Sequence, residues 1–283
     1  MKEDRTRREA VNRAAWEDNP SPGWDAIKAE DREEAPRGML EIRDASGAVV
    51  DRTAAPTSAG IHRVAWHLRY APLSAGGGRG GGTGPMVAPG TYTVTAYERS
   101  GDETRQLGDP VPFEVVSIID PALPRQDREE VLAFQFEAGE LQQAVRAAAA
   151  KVAEALEEVA AMKQLVADGR TVDLAVLDEA RRVELRLLDA QERLSGDRTA
   201  SSRFAPGTPS ITSRLQNALF GTLGQSYGPT QTHRRQLEIA EEEFEAARAE
   251  IEEVLEVDVP ALKRTLDEAG APWTSGRAIP AGR

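Results

Sequence analysis

Three histidines, two carboxylate clusters, one glycine tract and four tryptophans are where chemistry could reside in this chain. His62 and His67 differ by an odd number of positions in one alternating stretch, so on a strand they face opposite sides and cannot share a metal. His233 lies far away in sequence of a different kind, and each histidine is expected to be exposed or simply hydrogen-bonded. Zero cysteines remove thiol catalysis, disulfides and cysteine-rich zinc sites. Glycosidase carboxylates pair in space and not in sequence, so the acidic clusters need separate weighing. Glu238, Glu241, Glu242, Glu243 and Glu245 lie at helical spacing around Leu237, Ala240 and Phe244 and read as a solvated helix face. Asp25, Glu30, Asp31, Glu33 and Glu34 stay open between a functional cluster and a docking loop. Gly76, Gly78 and Gly81 satisfy G-x-G-x-x-G, but a phosphate loop must open a helix. This tract runs through Pro85 and Pro89 into a strand and reads as an inter-strand excursion. No catalytic residue, metal ligand or cofactor is expected. Of the tryptophans, Trp66 falls on a core face, while Trp16 and Trp24 flank a proline turn and, with Asp25 and Ile27, form a candidate docking surface.

The elements that must hold these residues come in two kinds. Residues 1–36 read as a charged helix to Ala15, then a loop through Asn19, Pro20, Pro22 and Gly23. From Arg37 to about residue 118 the period is two. Leu40 and Ile42 alternate with Glu41 and Arg43, the Ser46-Gly47 turn follows, and Val49 and Val50 return. Val64, Trp66 and Leu68 predict a further strand, and Tyr92, Val94 and Ala96 another, started by Pro89-Gly90. Val111, Phe113 and Val115 predict the last.

After a linker at 119–126 containing Pro121 and Pro124, the period changes to helical for residues 127–270. Asp127 and Glu130 suggest a capping box. Val131, Phe134, Ala138, Leu141, Val145, Ala148, Val152, Ala155, Val159, Met162 and Val166 recur in steps of three and four up to Gly169. A second helix carries Leu177, Ala180, Val183, Leu187, Ala190 and Leu194 to Gly196. Thr208 and Pro209 suggest the N-cap and first position of a short helix through about Phe220. A last helix carries Leu237, Ala240, Phe244, Ala247, Ile251 and Val254, with a kink expected at Pro260. The long seam suits an intrachain antiparallel bundle or an intermolecular coiled coil; the other amphipathic helices favour the former and a monomer. Residues 271–283 read as a tail.

Gly60, His62, Trp66 and Leu68, followed by Val87, Pro89, Gly90, Thr91 and Tyr92, resemble an Ig-like domain of flagellar hook-capping type. The flanking stretches at Pro22–Glu34 and Gly196–Gln216 resemble the C-terminal region of bacterial sortilin-like Asp-box β-propeller proteins, often labelled glycosyl hydrolases. That resemblance covers nearly the whole chain. It implies an α+β multidomain protein, an Ig-like antiparallel β-sandwich followed by an antiparallel α-helical bundle. It also implies a propeller as partner. The chain carries no Asp-box sequence, so any propeller-borne activity would reside outside it. A non-catalytic accessory module, part of a glycoside hydrolase and a carbohydrate-binding module are the readings carried forward.

Composition narrows the partners. The formal charge of −12 divides into −4 through Asp120 and −8 beyond it. An acidic surface disfavours nucleic acid and anionic membrane. Met1 is followed by charged residues with no apolar signal region, and no apolar run approaches a membrane span, so a soluble chain is expected. Its compartment stays open.

Overall fold

The computed structural model describes residues 2–15, 18–19, 23–73, 84–118, 127–169, 172–205, 207–225 and 227–279. Trp16, Pro20, Pro22, the glycine tract at 76–83 and the linker prolines 121 and 124 lie outside the described residues. The chain forms two compact units, Met1–Ala71 with Val87–Ile119, and Pro72–Met86 with Asp120–Arg283. Residues 72–86, which the sequence pattern places inside 37–118, therefore group with the helices.

In the first unit, helices α1 (Lys2–Ala14) and α2 (Trp24–Asp31) precede a five-stranded antiparallel sheet. Asn19 and Gly23 are irregular as expected, but the loop region read through residue 36 contains a helix, α2. Its first turn holds Asp25 and its last turn Lys28, charges that suit the two ends of a helix dipole. The strands are β1 (Arg37–Arg43), β2 (Val49–Ala55), β3 (Gly90–Ser100), β4 (Glu103–Gln106) and β5 (Val111–Val115). Their order is β2-β1-β3-β4, and β5 shares the edge of β3 with β4, opposite Gly90–Val94. The Asp44 carboxylate closes the β1–β2 hairpin by accepting from the Ser46 and Ala48 backbone amides.

The strand expected from Val64 to Leu68 does not form. Residues 61–67 are irregular and Leu68 takes a left-handed φ of 55°, which ends any extended run there. Leu68 is exposed, not part of a core face. The segment nonetheless delivers Trp66 to the sheet. Ile42, Val50, Val87 and Tyr92 form the buried core, with half-buried Trp66, Tyr70, Val94, Phe113 and Val115 around them. The Trp66 ring lies 5.7 Å from Tyr92 and 5.8 Å from Phe113, in the tilted and edge-on arrangements that aromatic quadrupoles favour. Tyr92 donates to the Ala88 carbonyl at 2.7 Å. Burial, with lesser contributions from Tyr70 and Asp44, pushes its hydroxyl pKa up to about 12. Glu41, buried on the other side of β1, is held by Arg43 and Arg52. Burial alone would raise its pKa, but hydrogen bonds from Arg52 and Arg43 outweigh it and keep the carboxyl below its ordinary range.

In the second unit, α3 (Arg128–Asp168) is the longest element, and every seam position named above is buried except half-buried Leu141 and Ala148. Asp127 caps it by accepting from the Glu129 amide, and Gly169 ends it. Helices α4 (Ala175–Ser195), α5 (Arg198–Ser202), α6 (Ile211–Leu223), α7 (Gln231–Glu253) and α8 (Val259–Glu268) follow. The N-cap of α6 is Ser210, whose hydroxyl accepts from the Ser213 amide, so the helix starts two residues later than Thr208-Pro209 suggests. A π-helical turn, Val254–Asp258, joins α7 to α8. Pro260 has no amide to donate, and the widened turn before it lets the chain continue as helix.

Ion pairs fix the directions of these helices. Arg186 reaches Glu253 at 2.6 Å and Arg193 reaches Glu250 at 2.8 Å, so α4 runs antiparallel to α7. Arg214 reaches Glu243 at 3.0 Å, so α6 does too. Helix α4 starts seven positions after α3 ends and Lys163 pairs with Glu184 at 2.7 Å, so the two are antiparallel neighbours, and Glu158–Lys263 at 2.6 Å places α8 alongside α3. A Cβ built on Gly196 would lie 3.6 Å from the Ser210 side chain. Helices α4 and α6 are thus one column interrupted by the 197–209 excursion, and among the described residues the bundle has three columns.

Glycine at two positions reflects close approach. His233 closes the N-terminus of α7 by exchanging hydrogen bonds with Thr230, and a Cβ on Gly221 would meet its Nε2 at 2.6 Å. On α3, a Cβ on Gly139 would lie 2.5 Å from Leu73 Cδ1 and 3.0 Å from Leu73 Cβ. Leu73 is further held by Gln143, which donates to its carbonyl, and Arg128 donates to the Met86 carbonyl at 2.7 Å. Both stems of the 74–83 stretch are therefore fastened to α3.

Two stability measurements check this packing. Trp66→Ala is expected to cost about 2–3 kcal/mol, below the fully buried range because the ring is half-buried. A thermal shift of a degree or less would contradict it. Gly139→Ala should destabilise by about 1–3 kcal/mol through overpacking, and by clearly less in a Leu73→Ala background, where the Cγ and Cδ1 contacts are gone and only the 3.0 Å contact with Cβ remains. A double-mutant cycle with no coupling would dismiss the contact.

Candidate docking surfaces

Among the residues singled out for docking, Trp24 opens α2 and is 79% exposed, Asp25 beside it is exposed, and Ile27 is half-buried. Trp24 and Ile27 sit three residues apart and share a helix face, which Asp25 does not. No residue of α2 is buried. What holds it is polar: Arg5 of α1 pairs with Glu30 at 2.5 Å and with Glu9 at 2.6 Å, and Arg99 of β3 pairs with Glu34 at 3.4 Å. The acidic cluster from Asp25 to Glu34 thus braces its own unit in part, through Glu30 and Glu34. Trp16 cannot be placed relative to Trp24, lying outside the described residues.

The helical unit contains a groove of about 760 Å³ between α3 and the α7–α8 column. Its floor includes Leu141, Ala144, Ala148, Phe244 and Leu255, and its rims are dominated by glutamates. Glu241 is among them. It is half-buried, and desolvation followed by repulsion from Glu137 and Glu238 raises its pKa. The sequence pattern had placed it on a solvated face. The signal to the contrary is its position three residues before Phe244, on the flank of the apolar stripe, where α3 brings Glu137 towards it.

A second cavity, about 660 Å³, lies beneath the excursion, between Asp189 and Arg193 of α4 and the Gly207–Ile211 return. At the tip of the excursion Phe204 is 98% exposed with a left-handed φ of 54°. Trp273 is also half-exposed, its Nε1 donating to the Arg277 carbonyl at 3.1 Å.

Reactive constellations are scarce. His62 and His67 are exposed on the irregular segment, with His62 Nε2 2.7 Å from the Ser58 carbonyl oxygen, and His233 serves as a helix cap. Among the described residues no group of three His, Cys, Asp or Glu side chains is arranged for a metal ion. Among the same residues no helix is long and apolar enough to cross a membrane. Comparison with known proteins finds no matching family model, no similar curated protein and no similar solved structure.

The Glu241 environment has a measurable sign. A carboxyl whose folded pKa is raised holds its proton longer folded than unfolded, so stability falls as pH rises through that interval. Glu241→Gln is expected to raise the melting temperature at pH 7 and to have no effect below about pH 3, where glutamate is protonated in both states. Melting curves in which the variant gains nothing at neutral pH would contradict this.

Proposed function

We propose that this chain is a non-catalytic interaction module that docks on or stabilises a sortilin-like β-propeller, with α2 as part of the contact. The observation that carries the reading is Trp24, a large aromatic exposed on a helix that buries none of its residues. A short helix with no core of its own gains little from folding, whereas exposed aromatics commonly supply most of an interface's energy. The Arg5–Glu30 and Arg5–Glu9 pairs favour a held rather than a loose presentation of that aromatic. The sheet unit is read as an Ig-like domain in which the irregular segment from Ile61 to Tyr70 stands where a second sheet would be; the packing of Trp66, Tyr92 and Phe113 on one sheet face supports that reading.

A glycoside hydrolase is the second reading. One observation favours it, a glutamate of raised pKa, Glu241, in a groove with a second carboxylate, Glu137, nearby. Against it stands the floor, which is apolar and offers few hydrogen-bonding groups for a sugar.

Calorimetry with a separately expressed Asp-box propeller tests the docking reading. Binding is expected, and Trp24→Ala should weaken it at least about tenfold, roughly 1.4 kcal/mol, while leaving the melting temperature unchanged. No binding at high micromolar concentration would overturn the proposal. So would turnover of a glycoside panel that Glu241→Gln abolishes.

A further inference from the structure

We propose that the groove between α3 and the α7–α8 column receives a basic amphipathic α-helix of a partner protein, seated as a fourth column of the bundle. Helices α3 and α7–α8 run the same way, with the interrupted α4–α6 column packed against both. Among the described residues three columns leave one side of this pair without a helix, and there the groove lies.

The floor favours helix over other shapes. Ala144 and Ala147 are exposed and Ala148 half-buried, so a second backbone can come close, at the 8–10 Å axis spacing of packed helices. Leu141, Phe244 and Leu255 supply apolar contact on either side. Along α3 the lining runs from Glu137 to Glu158, which at 1.5 Å per residue is about 32 Å, room for a helix of about 20 residues.

The rim selects its charge. Eight glutamates and three cations line the groove, and two of those cations are already engaged, Lys263 with Glu158 at 2.6 Å and Arg248 with Glu245 at 3.1 Å. The remaining negative potential matches lysines and arginines flanking an apolar stripe and repels acidic helices, including a second copy of α7. Crowding of Glu241 by Glu137 and Glu238 is the kind of repulsion a cation would relieve. This site is separate from α2, so its test is independent of propeller docking.

The test is fluorescence anisotropy of the full chain with a labelled helical peptide of about 20 residues, leucines on one face and lysines on its flanks, at near-physiological salt. Two controls are a scrambled peptide of the same composition and a leucine–glutamate analogue. The helical basic peptide is expected to bind with micromolar Kd, and both controls at least about tenfold more weakly. The double variant Ala144→Gln, Ala147→Gln fills the floor with uncharged side chains at exposed, helix-tolerant positions and should lose at least about tenfold. Should that variant not fold, Glu137→Gln with Glu241→Gln is expected to show a comparable loss. Equal binding of the scrambled peptide, or unchanged binding by a folded variant, would overturn the proposal. Sedimentation of the chain as a dimer that the peptide fails to dissociate would overturn it too, by assigning the groove to a second copy.

Discussion

The uninterrupted apolar seam of α3 is the constraint on which the helical unit depends. From Val131 to Val166 it presents buried residues at nearly every turn, and α4, α6 and α7 all pack against it. No single α-helix of the unit matches the 41 residues of α3, so α4 and α6 cover one side of it in pieces. Helix α4 takes the end near Val166, α6 the end near Gln135, and the π-helical turn before Pro260 lets one continuous column run beside the whole. Gln135, one of the buried polar side chains of this unit together with Gln142 and Thr222, donates to the Thr222 carbonyl at 3.1 Å and marks the register of α3 against α6.

How much was legible in the sequence follows from how each element is stabilised. Helical positions that bury along one stripe, such as Val152, Val159, Leu187 and Phe244, announce themselves by period, because the same spacing that makes a helix face also makes the core. Strands β1, β2, β3 and β5 are legible for the same reason. The stretch around Trp66 misleads because alternation records which side chains face an apolar surface, and an irregular segment crossing a sheet can satisfy that without strand partners. The Ser210 cap is not legible because capping is decided by one hydroxyl, and Thr208 and Ser210 are both suitable in composition, while α5 has only five residues and buries none, so it leaves no apolar period.

Sites were less legible than elements. The raised pKa of Glu241 depends in part on the charge of Glu137, about a hundred positions away, and nothing local to either residue records the approach. Trp24 is the opposite case, since it opens a short helix that buries none of its residues. Surface ion pairs add little to stability individually, but here several of them, among them Arg186 with Glu253 and Arg193 with Glu250, decide direction between elements that apolar stripes alone would leave ambiguous.

The excursion between Gly196 and Ser210 leaves and rejoins a single helical column at almost the same point. Its ends are held by the bundle whatever lies between them, and the entropy of closing such a loop grows only slowly with length. Related chains could therefore lengthen, shorten or replace residues 197–209 with little disturbance to the buried helices. A segment freed in this way from the demands of folding can diverge under selection for contact alone, and the tip at Phe204 is where such divergence would be most visible between orthologues.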